Sequence, residues 1–266
     1  MDGLCNVNVE LTDRCNKNCW MCGRRKREKE NPNVKYGDMD FNLVEDIAGQ
    51  LPDGIIVQLH NNGEPLLYPQ FGDAVITFHR QITSITTNGK LLLEKAGEII
   101  NNLDTLAVSI IEKDSEALEQ YEILTEFLKL KGNKKPLVIL RMVGNVNKQI
   151  KDHYEKLGLL ATSRLLHSPD GSFEYEAKPT IPEIGICLEV LHRLAIDRKG
   201  NVSICVRYDP KDLGVIGNAN RQLLADIWNG NKRAKWLEYH RQGQRNKIPL
   251  CSYCDYWGVP IGKVKG

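Results

Sequence analysis

Val7-Asn-Val-Glu-Leu-Thr12-Asp-Arg-Cys15-Asn-Lys-Asn-Cys19-Trp-Met-Cys22-Gly23 carries a β-branched, apolar run directly into three cysteines within eight residues. Thiolates spaced C-x3-C-x2-C can close on one soft metal centre, and they are one ligand short of saturating a [4Fe–4S] cubane. Structural zinc knuckles normally supply four ligands, so this set fits zinc poorly. A cluster on Cys15, Cys19 and Cys22 would keep one iron open for a small molecule. The run Val7–Thr12 reads as a strand, which places the triad in the loop at its carboxyl end.

Outward from this stretch, short apolar runs alternate with helical patterns. Strands are expected at Val7–Thr12, Ile55–His60, Ser84–Thr87, Leu106–Ile110, Leu137–Val143 and Ala161–Leu166. Helices are expected near Asn42–Gln50, Phe71–His79, Leu91–Asn101, Ser115–Lys131 and Asn147–Leu157. This alternation implies an α/β fold with a parallel sheet built from right-handed crossovers. Six units are too few for a closed eight-fold barrel, so the expectation is an open, partial (β/α)6 TIM-like barrel. Ligands of such sheets gather at the carboxyl ends of the strands. There the sequence places His60-Asn61-Asn62-Gly63-Glu64-Pro65 after the second strand, Thr87-Asn88-Gly89 after the third and Ser109 on the fourth.

In order and spacing these segments resemble the motifs of the radical S-adenosylmethionine (SAM) superfamily. The resemblance implies that the open iron of the triad's cluster chelates SAM. Electron transfer into the sulfonium then yields a 5′-deoxyadenosyl radical. It also implies that Asn62, Gly63 and Glu64 receive the SAM ammonium group, and that Asn88, with Ser109 nearby, hydrogen-bonds its ribose or carboxylate. Arg141 would pair with the SAM carboxylate, and Met21 would stand near adenine where the family usually has an aromatic residue.

A second cysteine set, Cys187, Cys205, Cys251 and Cys254, surrounds a hairpin-like segment, Leu194 to Cys205, with a Gly200-Asn201 turn signal. Spacing alone leaves the metal open between a zinc ribbon and iron–sulfur. This segment resembles the twitch domain, a shortened SPASM extension of radical SAM cores, in its Gly200-x4-Cys205 spacing, Ile216-Gly217-Asn218, Asp226-Ile227-Trp228-Asn229 and final C-x2-C. The implied division is a barrel over 1–180 and a small α+β twitch domain over 181–266. The resemblance also implies two [4Fe–4S] clusters, the auxiliary one fully ligated and so confined to redox chemistry.

Composition agrees with an ordinary globular chain: 266 residues, 41% hydrophobic and 26% charged. A net charge of +2 is too small to imply nucleic acid, and no signal peptide or membrane-length apolar run is present, so the cytoplasm is expected. Gly23 to Lys29 is a basic run read as a solvated loop, or else as a docking edge for a flavodoxin- or ferredoxin-type reductant. Cys5 is expected to be a buried core thiol. His167 and Asp170, after the sixth strand, are candidates to accept a substrate proton, although a turn built by Ser168-Pro169-Asp170-Gly171 explains them equally.

The expected function is hydrogen abstraction from a small substrate. By resemblance to aminocyclitol-oxidising members of the superfamily, that means oxidation of a carbinol with the auxiliary cluster as electron acceptor. The alternatives are peptide crosslink or thioether formation, and carbohydrate or nucleotide epimerisation or rearrangement. A non-catalytic iron–sulfur or zinc protein would not need Gly63, Glu64 or Asn88.

Overall fold

Strict alternation along the central strands separates two environments. On β4 (Thr105–Ile111), Leu106, Val108 and Ile110 are fully buried, as is Leu140 on β5 (Leu137–Val143), while the residues between them are smaller or polar. Side chains of period two line opposite faces. One face therefore packs under helices, and the other is left for a cavity.

The computed structural model describes residues 1–164, 166, 186–207, 209–252 and 254. The first half runs β1 (Asn6–Val9), α1 (Arg24–Glu30), α2 (Phe41–Gln50), β2 (Ile56–Gln58), α3 (Phe71–Thr77) and β3 (Ile82–Thr87). After α4 (Ala96–Ile99) and β4 come α5 (Ala117–Lys131), β5, α6 (Lys148–Glu155) and β6 (Leu160–Arg164). The C-terminal part adds α7 (Leu188–His192), β7 (Arg193–Ile196), β8 (Asn201–Ser203), β9 (Val215–Asn218), α8 (Leu224–Trp228), α9 (Asn231–Arg241) and α10 (Pro249–Ser252). The sheet order is β6-β5-β4-β3-β2-β1-β7-β8-β9, parallel from β6 to β7 and antiparallel from β7 to β9. It is the expected open partial barrel: the free edge of β1 takes β7 rather than closing on β6. Leu43, Val44 and Ile47 of α2, Phe71 of α3, and Leu124 and Phe127 of α5 cover its outer face.

Four expectations need correction. The first strand ends at Val9, not Thr12, because the chain turns aside to bond residues 37–39: Asp13 N–H donates to the Gly37 carbonyl and Met39 N–H to that of Leu11. The helix expected at Leu91–Asn101 shrinks to α4, since Leu92 and Ala96 bond three residues back and interrupt the helical ladder. Cys5 is exposed, not buried. It precedes β1, where its backbone bonds His192 and Ile56 while the thiol stays outside the core. The basic run is a helix, α1, with Arg24 buried and its guanidinium 4.0 Å over the Tyr36 ring. Its sequence lacks apolar periodicity, and Arg25–Glu28 and Arg24–Glu28 pairs along one side support it instead.

Candidate active site

The inner face of the barrel is arranged in successive rows, polar ones among apolar. Asn8, Gln58, Ser84 and Thr105 form one row by register; Thr86 and Ala107 another; Ser109, Arg141 and Thr162 a third; and Ile111, Val143 and Arg164 the last. All line a cavity of about 710 Å³, together with Cys15, Cys19, Cys22, Met21 and the Asn62-Gly63-Glu64 segment.

Backbone contacts fix the cysteine loop against that segment. A Cβ at Gly63 would collide with the carbonyl oxygens of Thr12 and Arg14, and Glu64 N–H donates to the Arg14 carbonyl at 2.8 Å. Only glycine permits so close an approach. Lys17, between the first two cysteines, is buried against Asp114 at 2.6 Å and Glu116 at 3.3 Å. Burial opposes its charge, and these carboxylates more than offset that, so its pKa is raised. Trp20 Nε1 donates to the Glu112 carbonyl, and Cys19, Trp20 and Met21 pack on Ile111, Val143 and Leu166.

Glu64 is buried, and its carboxylate accepts from Thr87 Oγ1 at 2.7 Å, Asn88 N–H at 2.8 Å and Leu66 N–H at 3.2 Å. It thus clamps the third strand end, with little acceptor capacity left for a cofactor ammonium. Burial pushes its pKa up to about 7, against the pull of those donors. Asn88 sends Nδ2 to Asn16 at 2.8 Å, with Cys15 Sγ 3.9 Å away. Its carbonyl and that of Ser109 both accept from Gln120 Nε2, and Gln120 Oε1 accepts from Tyr154 Oη. This buried relay from α6 through α5 fixes two strand ends; no motif in the sequence marks it. Arg141 donates to Thr86 Oγ1 at 3.2 Å.

Sequence reasoning also missed His60, Arg164, Glu189, Arg193 and Arg207, all on the cavity wall. His60 Nδ1 accepts from Thr86 N–H at 3.0 Å, so a neutral ring carries its proton on Nε2. Desolvation, then the charges of Arg141 and Arg193, push its pKa down to about 3. The alternation of β5 and β6 was the available signal for Arg164. His167 and Asp170 lie outside the described residues.

The second cysteine set comes together from three segments. Cys187, Cys205 and Cys251 share a cluster with Val190, Ile204, Trp236 and Ile248. Arg245 Nη1 donates to the carbonyls of both Cys251 and Cys254 at 2.9 Å, shaping the C-x2-C turn. Burial, and then the charge of Glu189, push Cys187 up to about 11, and burial with the neighbouring thiolates pushes Cys251 up to about 12; burial and Cys22 likewise push Cys19 up to about 12. Such thiols ionise only against a strong positive centre. Sets of three and four cysteines supply thiolates of the kind that iron–sulfur clusters take, each on a separate iron. Among the described residues no three His, Cys, Asp or Glu side chains converge as a single-ion site.

Residues 187–255 match the SPASM iron–sulfur cluster-binding domain. The chain is 24% identical over 256 residues to the S-adenosyl-L-methionine-dependent 2-deoxy-scyllo-inosamine dehydrogenase of Niallia circulans, covering 94% of this chain and 92% of that protein. It is 26% identical over 198 residues to the tungsten-containing aldehyde ferredoxin oxidoreductase cofactor-modifying protein of Pyrococcus furiosus, covering 66% of this chain and 52% of that one. The crystal structure of BtrN in complex with AdoMet and 2-DOIA superposes with a TM-score of 0.64 at 21% identity, covering 98% and 97% of the two chains. Fold and site define a partial-barrel enzyme with an appended iron–sulfur domain. Residues 187–255 thus form an appended SPASM-type iron–sulfur cluster-binding domain, and the chain as a whole has the fold of BtrN.

Proposed function

We propose that this enzyme oxidises a carbinol of a small polyhydroxylated substrate, with 1–180 as the SAM-cleaving barrel and 181–266 as the auxiliary domain. One observation carries the reading. One and the same cavity is lined both by the cysteine triad and by Glu189, Val206 and Arg207, neighbours of Cys187 and Cys205. One substrate molecule can therefore lie between the two cysteine sets. The dehydrogenase relative supports the reaction type.

In this reading Cys15, Cys19 and Cys22 hold one cluster, and Cys187, Cys205, Cys251 and Cys254 the other. Bound there, the cofactors supply reductive cleavage of the sulfonium, removal of a hydrogen atom from the carbinol carbon, and an outlet for the remaining electron. Arg141 and Ser109 hold SAM from the β4–β5 wall, Met21 covers its adenine, and Asn62 and Gly63 border its ammonium end. Glu64 acts chiefly by keeping Asn88 in place. Neutral His60 offers Nε2–H to a substrate oxygen. The hydroxyl proton goes to His167 or Asp170, which follow the cavity-lining Leu166 in sequence. The exposed side of α1, beside the triad, receives an acidic flavodoxin- or ferredoxin-type reductant.

The test uses anaerobically reconstituted protein with dithionite and SAM. About eight irons per chain and 5′-deoxyadenosine formation are expected. Deuterium at the reacting carbon of a turned-over substrate should appear in 5′-deoxyadenosine, with a carbonyl as product. An unoxidised, rearranged or epimerised product would overturn the reading.

A further inference from the structure

We propose that His240 is a positioning residue of the second cysteine set, donating Nε2–H to Cys251 Sγ and so raising the reduction potential of the cluster those cysteines hold. The inference rests on the reading of Cys187, Cys205, Cys251 and Cys254 as cluster ligands, and it says how that cluster is poised to take an electron. On α9 the buried residues are Arg233, Trp236, Leu237 and His240, at the i, i+3, i+4 and i+7 spacing of one helix face. An apolar side chain would serve packing at the last of these positions. The residue there is instead a histidine only 1% exposed, and a ring nitrogen buried so deeply is costly without a partner. Cys251 Sγ lies 3.6 Å from its Nε2.

Ligation sets the direction of that contact. A cysteine bound to iron is a thiolate with no proton to give, so the sulfur accepts and Nε2 carries the hydrogen. Both partners are held in place. Arg245 Nη1 donates to the carbonyls of Cys251 and Cys254 at 2.9 Å, and Ser252 N–H donates to the Ile248 carbonyl, which fixes the turn carrying the sulfur. Trp236 and Leu237, on the same face of α9 as His240, pack with Cys187 and Cys251, which fixes the ring. Cys205 Sγ takes a further donor, the Arg207 backbone N–H at 3.4 Å. Hydrogen bonds to its sulfurs withdraw electron density from an iron–sulfur cluster and favour the reduced form. The donor to Cys251 is a side chain, so substitution reaches it without touching the ligands or the backbone.

The test measures the midpoint potential of the second cluster by redox titration followed by electron paramagnetic resonance. The parent is anaerobically reconstituted Cys19→Ala protein, in which only that cluster's iron should remain. His240→Phe keeps a planar ring and removes the donor, so its midpoint should fall below the parent's. His240→Gln brings an amide N–H towards the sulfur and should recover part of the loss. About four irons are expected in all three proteins. An unchanged midpoint in His240→Phe at full iron content overturns the inference. So does iron lost from His240→Phe with the circular dichroism intact, which would make His240 a ligand. Pulsed resonance of the parent carrying isotope-labelled histidine needs no change at position 240. A weak coupling to a histidine nitrogen is expected, with a proton coupling that disappears in heavy water. A strong nitrogen coupling, as from a ring bound to iron, or none at all, overturns the inference. Zinc in place of iron at the second set overturns the cluster reading together with this one, whereas a midpoint indifferent to His240 overturns this one alone.

Discussion

Glu10 and Glu64 are buried carboxyls whose acceptor capacity goes to the loops around them. Glu10 accepts from both the backbone N–H and Nδ2 of Asn62, and Glu64 from three donors of its own. Burial raises each to about 7 from 4.5. The folded state therefore holds these protons more tightly than the unfolded chain. Their stabilisation is complete below about pH 4.5 and is lost as pH rises through about 7. Glu10, outside the cysteine-bearing loop, isolates the effect. Glu10→Gln should flatten the decline in thermal stability of the cluster-free protein between about pH 5 and pH 7.5, a span worth about 3 kcal/mol at most. A melting profile as steep as wild type would refute this. At the same scale, Cys19→Ala should abolish 5′-deoxyadenosine formation and leave about four irons in the second set; retained SAM cleavage would refute the ligand assignment. Glu64 was legible in the sequence as a motif member, but its role as a clamp was not. That role depends on Thr87 and Asn88 bending back over it, a consequence of β2 and β3 lying side by side. His60 was illegible for the same reason: its neutrality comes first from burial and then from Arg141 and Arg193, on strands that only the folded sheet brings near it.

Between elements, the close approach of the loop after β2 to the loop after β1 is the joint on which the site depends. Gly63 makes it possible, because any side chain there would strike the carbonyls of Thr12 and Arg14. Relief requires moving backbone rather than a flexible side-chain tip. Gly63→Ala should therefore cost more than about 2 kcal/mol and release iron from the triad before the second set, as followed by thermal melting and iron content. Equal retention of both clusters would show that the loops have slack. The strand–helix alternation and the hairpin were readable because each is local. The Asp197 side chain closes the turn by accepting from Lys199 and Asn201 N–H, and Gly200 supplies the positive φ of 81°. Helix α1 was not readable, since its support comes from charge pairs and from Tyr36 rather than from an apolar stripe. Nor was the docking of β7 on β1, because backbone pairing across so long a separation leaves no periodic mark in either segment.

Across the whole molecule, the β1–β7 pairing carries the auxiliary cysteines to the barrel. Residues 6–9 of β1 register with 193–196 of β7, so the strand that leads into the triad is bonded along its length to the strand that follows Cys187. The hairpin then returns the chain to Cys205, and α9 packs Trp236 and Leu237 beneath the C-x2-C turn. The second cysteine set is thus tied to the barrel sheet, and its loss should alter the outcome of the reaction more than its initiation. Replacing Cys251 and Cys254 together by Ala removes two of the four ligands proposed for the second cluster. The triad, its Lys17–Asp114 anchor and the Asn88 relay lie on other elements. The doubly substituted protein should retain about four irons, form 5′-deoxyadenosine, and take deuterium from the labelled carbon. It should fail to release the carbonyl product, because the electron left on the substrate has lost its outlet. Near-wild-type sheet signal by circular dichroism would separate this effect from misfolding. Carbonyl formation at the wild-type rate would show that the second cluster is not the acceptor.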